Sequence, residues 1–360
     1  MACGSIKSTK RLAQAAGRGL ALGLAMIVSS AVAAGELALL PSAMAVSDRV
    51  PAGEPARHDD SGTVDLFFSH DQGQLRVLTE VALGNGYGDV ERLQAGWRMS
   101  PQTSLWFGRF HNPIGYWNTE FHHGRYLETT VGRPRIMEFE DGAGALPIHL
   151  FGSWMHTDRP LGEGGSLGLD VAAGSGPAVE GQLEPISLPN GVRWNGPAFT
   201  LRATLRPDAT LDDQLGLYIS TTRIPYADLP GAMVDQRLAG LFVNRDWGPV
   251  RLIVEALRVT QTASSAAPFP WPSFDAGYIQ GEYHSASLAW IGYLRSERID
   301  SSLNPGYSAL FPSLSRQRDV AGIRWDFRAN QALKLEAGRE LGFSGALTPS
   351  LSVQWSGWFH

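Results

Sequence analysis

The chain has 360 residues with 30 basic and 35 acidic side chains, a formal net charge of −5, which argues against a general nucleic-acid binder. Its one cysteine is Cys3, so the remainder offers no disulfide framework, no thiolate nucleophile and no Cys-ligated metal. No Cys-x-x-Cys-His run is present for haem attachment, no cofactor is expected, and no residue is assigned to catalysis.

Four basic residues, Lys7, Lys10, Arg11 and Arg18, precede a charge-free run from Gly19 to Ala34. Small residues follow at Ala31-Val32-Ala33 and at Ala43-Met44-Ala45. Charge, apolar run and small-x-small is the layout of a secretory signal. A spanning helix needs roughly 20 apolar residues, and this run is shorter and broken by Gly and Ser. Residues 1–45 are therefore expected to be a signal peptide, with a cut after Ala33 as the alternative. Residues 46–62, with Pro51 and Pro55, read as an N-terminal linker. Four of the 30 basic residues and one of the 35 acids lie in 1–45, so 26 and 34 remain and the mature chain is acidic.

From Thr63 onward, segments of about ten residues alternate in polarity, as strands do when side chains point to opposite faces. Leu93, Ala95 and Trp97 interleave with Arg92, Gln94 and Arg98. Phe199, Leu201, Ala203 and Leu205 interleave with Arg202, Thr204 and Arg206. Val250, Leu252, Val254 and Ala256 interleave with Arg251 and Glu255. Ala321, Ile323, Trp325 and Phe327 interleave with Arg324, Asp326 and Arg328. Leu238 to Asn244 and Ala289 to Tyr293 are apolar on both faces, which predicts contact with a plug, a long loop or a neighbouring subunit. Tight turns fall near 100–103, 207–210, 284–287 and 328–331. Long segments lie between, at 112–146, 175–196, 223–232, 261–273 and 298–317. Short turns alternating with long loops are the plan of a membrane barrel. An open sheet in lipid would leave edge amides unpaired, so closure is required. The expected fold is all-β, a transmembrane antiparallel β-barrel of about 14–16 strands over 63–360. Fifteen strand candidates are an odd number, which implies a further strand before Thr63 or a miscount. Trp106, Trp247, Trp290 and Trp355, near strand ends, are expected in interfacial girdles. A secreted β-sandwich or propeller also alternates, and alternation alone does not say which face looks outward.

The last strand, Leu351-Ser-Val-Gln-Trp-Ser-Gly-Trp-Phe359, resembles the C-terminal strand read by the barrel-assembly machinery, departing from it by ending in His360. With the signal and the alternating strands, the chain resembles the porin-like outer-membrane barrels of Gram-negative bacteria. The resemblance implies a place in the outer-membrane bilayer, assembly by that machinery and, often, a homotrimer. It also implies an early long loop folded into the lumen as a constriction, but it names no solute.

That loop is the densest chemistry in the chain. Arg125, Arg133 and Arg135 would face Glu128, Glu138, Glu140 and Asp141 across the constriction, where rings of charge set ion selectivity. The wall residues Arg92, Arg98, Arg202, Arg251 and Arg324 would add positive potential. The competing reading is a structural network in which these groups hold the loop. His111, His122, His123 and His149 form a weaker alternative, a metal site completed by carboxylates. Lys334 is the only lysine after the signal. Either genomic composition or the suitability of arginine's fixed charge for a pore wall accounts for this. Pro268-Phe-Pro-Trp-Pro272 either offers Trp271 to a sugar or partner or is a stiff loop tip. The first expected function is a porin-like channel for passive or weakly selective diffusion of small, anionic solutes. A non-transporting binding or scaffold barrel is the second, and a secreted all-β enzyme or lectin the third.

Overall fold

A computed structural model of the protein describes residues 35–48, 57–85, 87–121, 124–140, 142–188, 192–300 and 303–360. Eighteen strands occur in chain order: β1 Glu36–Asp48, β2 Arg57–Gln72, β3 Leu75–Gly84, β4 Tyr87–Ser100, β5 Thr103–His111, β6 His149–Leu161, β7 Gly165–Ser175, β8 Ala178–Val179, β9 Leu183–Glu184, β10 Pro197–Arg206, β11 Gln214–Pro225, β12 Met233–Trp247, β13 Val250–Ala263, β14 Phe274–His284, β15 Trp290–Asp300, β16 Gln317–Arg328, β17 Gln331–Leu341 and β18 Leu347–Gly357. Sixteen of them close into one antiparallel barrel, and β8 and β9 form a small separate hairpin between β7 and β10.

The closing strand is β1. It runs against β2 from Glu36↔Ser69 to Asp48↔Arg57 and against β18 from Ser42↔Ser356 to Asp48↔Ser350. Beyond that ladder, Leu39 and Phe359 exchange backbone hydrogen bonds of 2.7 and 2.9 Å. Pro41, which has no N–H to donate, falls in the gap between the two. The barrel thus begins at Glu36 and not at Thr63. Residues 36–45, expected in the signal, and 46–48 and 57–62, expected in the linker, are wall. The alternation of β1 is blurred by small residues, which is why it reads as a cleavage region. The odd count is resolved by this extra strand. Residues 1–34 lie outside the described residues.

Orientation is decided by exposure. On β16, Ile323 and Trp325 are 52% and 53% exposed while Arg324 between them is 8% exposed. On β17, Leu333 and Leu335 face out and Lys334 faces in, fully buried. A soluble sandwich has the reverse arrangement. An apolar exterior around a polar lumen suits only hydrocarbon surroundings, where closure also leaves no open sheet edge. The β-sandwich alternative is therefore excluded.

The connections at one end are short, such as 73–74, 101–102, 162–164, 248–249 and 329–330; at the other they are mostly long. Trp97, Trp247, Tyr283, Trp290, Trp325 and Trp355 sit on their strands toward the short-turn end. Of these, Trp97, Trp247, Tyr283 and Trp325 are exposed on the outside, as an interfacial girdle requires. Trp106 departs from expectation. It points inward, 6% exposed, stacked on Trp154 with ring centroids 6.4 Å apart and capped by Arg76 at 5.0 Å. Gly96, its cross-strand partner, makes the room: a Cβ there would lie 2.5 Å from the Trp106 ring. Phe107 takes the outward position.

The lumen is not uniformly polar. The inner faces of β11–β15 carry Tyr218, Leu238, Phe242, Ile253, Leu257, Tyr278 and Ile299, all buried in one cluster with the loop after β5. That loop contributes Ile114, Tyr116, Trp117, Phe121 and Met137, and the segment around Pro305–Leu310 adds Tyr307 and Phe311. Each such side chain contributes roughly 1.5–3 kcal/mol when fully buried. This explains the segment Leu238–Asn244, apolar on both faces: Leu241 faces outward while Leu238 and Phe242 pack inside. In the other such segment, Ala289–Tyr293, Tyr293 is buried and its hydroxyl donates to Glu336 at 2.9 Å. Trp271 joins the same core, at 5.3 Å from Tyr307 and 5.4 Å from Phe311. It is buried and not a presented loop tip.

Candidate functional site

The loop from 112 to 148 folds into the barrel. Its local structure is sparse: one helical turn, Trp117–Glu120, and a 3-10 turn, Arg135–Met137. Most of its backbone groups therefore lack helical or sheet partners. Enclosed by the wall, they must find others, and the inward-facing side chains supply them. Lys334 donates to the carbonyls of Arg125 and Thr130 at 2.6 and 3.0 Å. Arg324 donates to those of Tyr126 and Glu128 at 2.7 and 2.9 Å. Arg295 donates to Gly132 and Arg133 carbonyls at 3.0 and 3.1 Å. Glu255, Glu297 and Glu336 accept from the N–H groups of Tyr116, Arg135 and Val131 at 3.1, 2.6 and 3.1 Å. Gln236 and Gln354 donate to the carbonyls of Ala145 and Val131. Hydrogen bonds to charged groups contribute about 1.5–3 kcal/mol each, so this ring fixes the loop across the lumen.

The structure sorts the expected constriction residues. Arg125, Arg133, Arg135 and Glu138 line a cavity of about 520 Å³ on the long-loop side, with Arg318, Glu336 and Glu340 from the wall. Arg125 and Arg135 are about one-third exposed there, and Arg135 pairs with Glu340 at 2.8 Å. Arg133 touches that cavity but is itself buried. Its guanidinium lies 3.8 Å from the Phe139 ring centre and donates to the Met137 carbonyl. Glu128 and Glu140 do not face open space. Glu128 accepts from Arg125 and the Trp117 indole, both at 3.4 Å, and Glu140 lies 2.8 Å from His149 Nδ1. Glu128 is a fastening inside the loop and Glu140 ties the loop to the start of β6, because a carboxylate that deep must be paired. Asp141 lies outside the described residues. Burial lowers the pKa of Arg133, against the pull of Glu128 and Glu138. Burial also opposes charge on Arg125 and Arg135, but Glu128 beside the first and Glu340 beside the second raise theirs above the ordinary value.

The wall arginines divide similarly. Arg251 donates to the Tyr116 hydroxyl at 2.7 Å, and Arg324 is spent on loop carbonyls. Both hold the loop instead of charging an open wall. Arg98 sits at the short-turn rim with Asp71 at 3.1 Å. Arg92 and Arg202 line a second cavity, of about 260 Å³, on the other side of the loop. His111 and His149 come together with ring centroids 4.9 Å apart, while His122 and His123 lie outside the described residues. Among the described residues no group of three or more His, Cys, Asp or Glu side chains is placed to hold a metal. Sequence reasoning missed the fastening residues Glu255, Arg295, Glu297 and Glu336. Their signal was present as charge at the inward positions of otherwise apolar strands.

No protein-family model matches the chain, and no curated protein sequence matches it. Solved structures do. An anion-selective porin from Comamonas acidovorans aligns with a TM-score of 0.59 at 12% identity, covering 91% of this chain and 99% of its own. The outer-membrane channel DcaP of Acinetobacter baumannii aligns at 0.52 and 11% identity, covering 90% and 98%. OprB of Pseudomonas putida aligns at 0.54 and 9% identity, covering 91% and 94%. At such identities the likeness is one of fold, and by fold this chain is a closed 16-strand barrel of the Gram-negative outer-membrane porin type.

Proposed function

We propose that the protein is an outer-membrane channel for small solutes, its lumen narrowed by the 112–148 loop. The observation that carries this reading is the loop itself, fastened across a closed barrel with a cavity on either side. Arg125 and Arg135, the partly exposed cations of the long-loop cavity, form the selectivity surface with Glu138, and they favour anions. Arg92 and Arg202 continue positive charge on the far side. The mature chain starts after Ala33, so that all of β1 is kept. The last strand, with Phe359 bonded to Leu39, is the segment presented to the assembly machinery, and the mature barrel associates as a trimer. No catalysis is assigned to it.

A second reading, a non-transporting scaffold barrel, is favoured by one observation. Apolar packing between the loop and β11–β15 fills that side of the lumen. Planar-bilayer recording with the purified, folded barrel separates the two. Discrete conductance steps support the channel; a folded, inserted barrel without them supports the scaffold.

A further inference from the structure

We infer that the cavity on the short-turn side of the inward loop is a binding site for a small hydroxy-carboxylic acid. The inference deepens the channel reading and rests on it for the route of entry.

The cavity is lined by Arg92 and Gln94 of β4, Trp154 of β6, Asp170 of β7, and Arg202 and Thr204 of β10, beneath the helical turn of the loop. Arg202 is the central group. Its side chain is 6% exposed, and its Nε and Nη2 are buried without a hydrogen-bond partner among the described residues. The nearest carboxylates stand off at 3.7 Å from Glu120 and 4.0 Å from Asp170. Asp170 is already committed: it accepts from the Trp154 indole at 3.0 Å and lies 2.7 Å from His156 Nδ1. The Phe242 ring, 4.8 Å away, supports one face of the guanidinium. Arg92 is in a similar state. Its Nε donates to Glu80 at 2.6 Å, and its Nη2 is buried without a hydrogen-bond partner among the described residues. Two buried guanidinium groups beside one cavity thus retain donors without a hydrogen bond among the described residues. Their forked geometry matches carboxylate oxygens better than a point cation would.

The remaining unpartnered atoms refine the ligand. Gln94 Oε1 and Thr204 Oγ1, on residues that line the same cavity, are buried without a hydrogen-bond partner among the described residues. Gln94 Oε1 accepts only, so it calls for a donor on the ligand, and a hydroxyl supplies one. Pockets for drug-sized ligands run from about 300 Å³ upward, so this space fits a smaller molecule. A compact acid with a hydroxyl beside its carboxylate meets all three demands.

Isothermal titration calorimetry on the full-length mature barrel, folded in detergent, tests this with malate, succinate and glucose. Saturable malate binding is expected, weaker succinate binding, and none for glucose. Arg202→Gln should weaken malate by at least about tenfold, the loss of a charge-assisted pair. Gln94→Leu should weaken malate while leaving succinate unchanged, a split that general unfolding would not produce. It also serves if Arg202→Gln fails the heat-modifiable mobility test for folding. Absence of saturable malate binding by the parent protein would overturn the inference, as would unchanged affinity in Arg202→Gln. Binding without conductance removes the channel reading and leaves this one. Conductance without binding removes this one alone.

Discussion

Arg133 Nη2 donates to Asn118 Oδ1 over 3.5 Å across the inward loop. Arg133 borders the long-loop cavity and Asn118 the short-turn cavity. The partition between the two spaces is therefore, at this point, one side-chain pair thick. A contact of that length is weak, so the partition is held mainly by the surrounding fastenings.

Asn118→Ala removes one half of the pair and opens the partition without touching the wall. Single-channel conductance in planar bilayers should rise by about twofold, because a constriction dominates the resistance of a pore. An unchanged conductance would place the ion path elsewhere in the lumen.

Selectivity should depend on the arginines that reach open space. Arg125→Glu with Arg135→Glu should move the reversal potential in a salt gradient toward cation preference. Arg133→Glu should instead lower the yield of folded barrel, since it puts a carboxylate against the Phe139 ring and the Met137 carbonyl. Equal selectivity shifts from all three would contradict the division between exposed and buried cations.

Lys334→Met keeps the length of the side chain and removes its donors. The carbonyls of Arg125 and Thr130 lose their partner, at about 1–3 kcal/mol for each group left unsatisfied. The barrel should still form and show heat-modifiable mobility. Limited proteolysis should cut within 112–148 faster than in the parent protein. Proteolysis at the parent rate would show that the wall does not need this lysine to hold the loop.

Mass spectrometry of the mature protein should place its N-terminus at or near Ala34. A cut after Ala45 would remove ten residues of β1 and with them most of its ladder to β2. The barrel would lose its closing strand and expose two edges in lipid. Recovery of a folded, heat-modifiable protein beginning at Val46 would refute the role of β1.

Periodicity alone carried much of the architecture. A two-residue period in Ala321–Phe327 or Phe199–Leu205 is a local property of the chain. The spacing of turns and loops is local too, and together they specify a two-faced wall with long loops at one end. The both-faces-apolar stretch at Leu238–Asn244 even announced that something packs inside. Three features lay beyond such reading. The period is symmetric, so only the closed barrel shows that Trp325 faces out and Arg324 in. The strand Glu36–Asp48 resembles a cleavage region until β18 is brought beside it, over three hundred residues away along the chain. The charges of the lumen look the same in sequence whether they face a pore or grip a loop. Arg324 and Lys334 grip because tertiary structure places buried carbonyls within reach, and Arg202 Nε and Nη2 have no hydrogen bond among the described residues because the nearest carboxylates, on Glu120 and Asp170, stand 3.7 and 4.0 Å off.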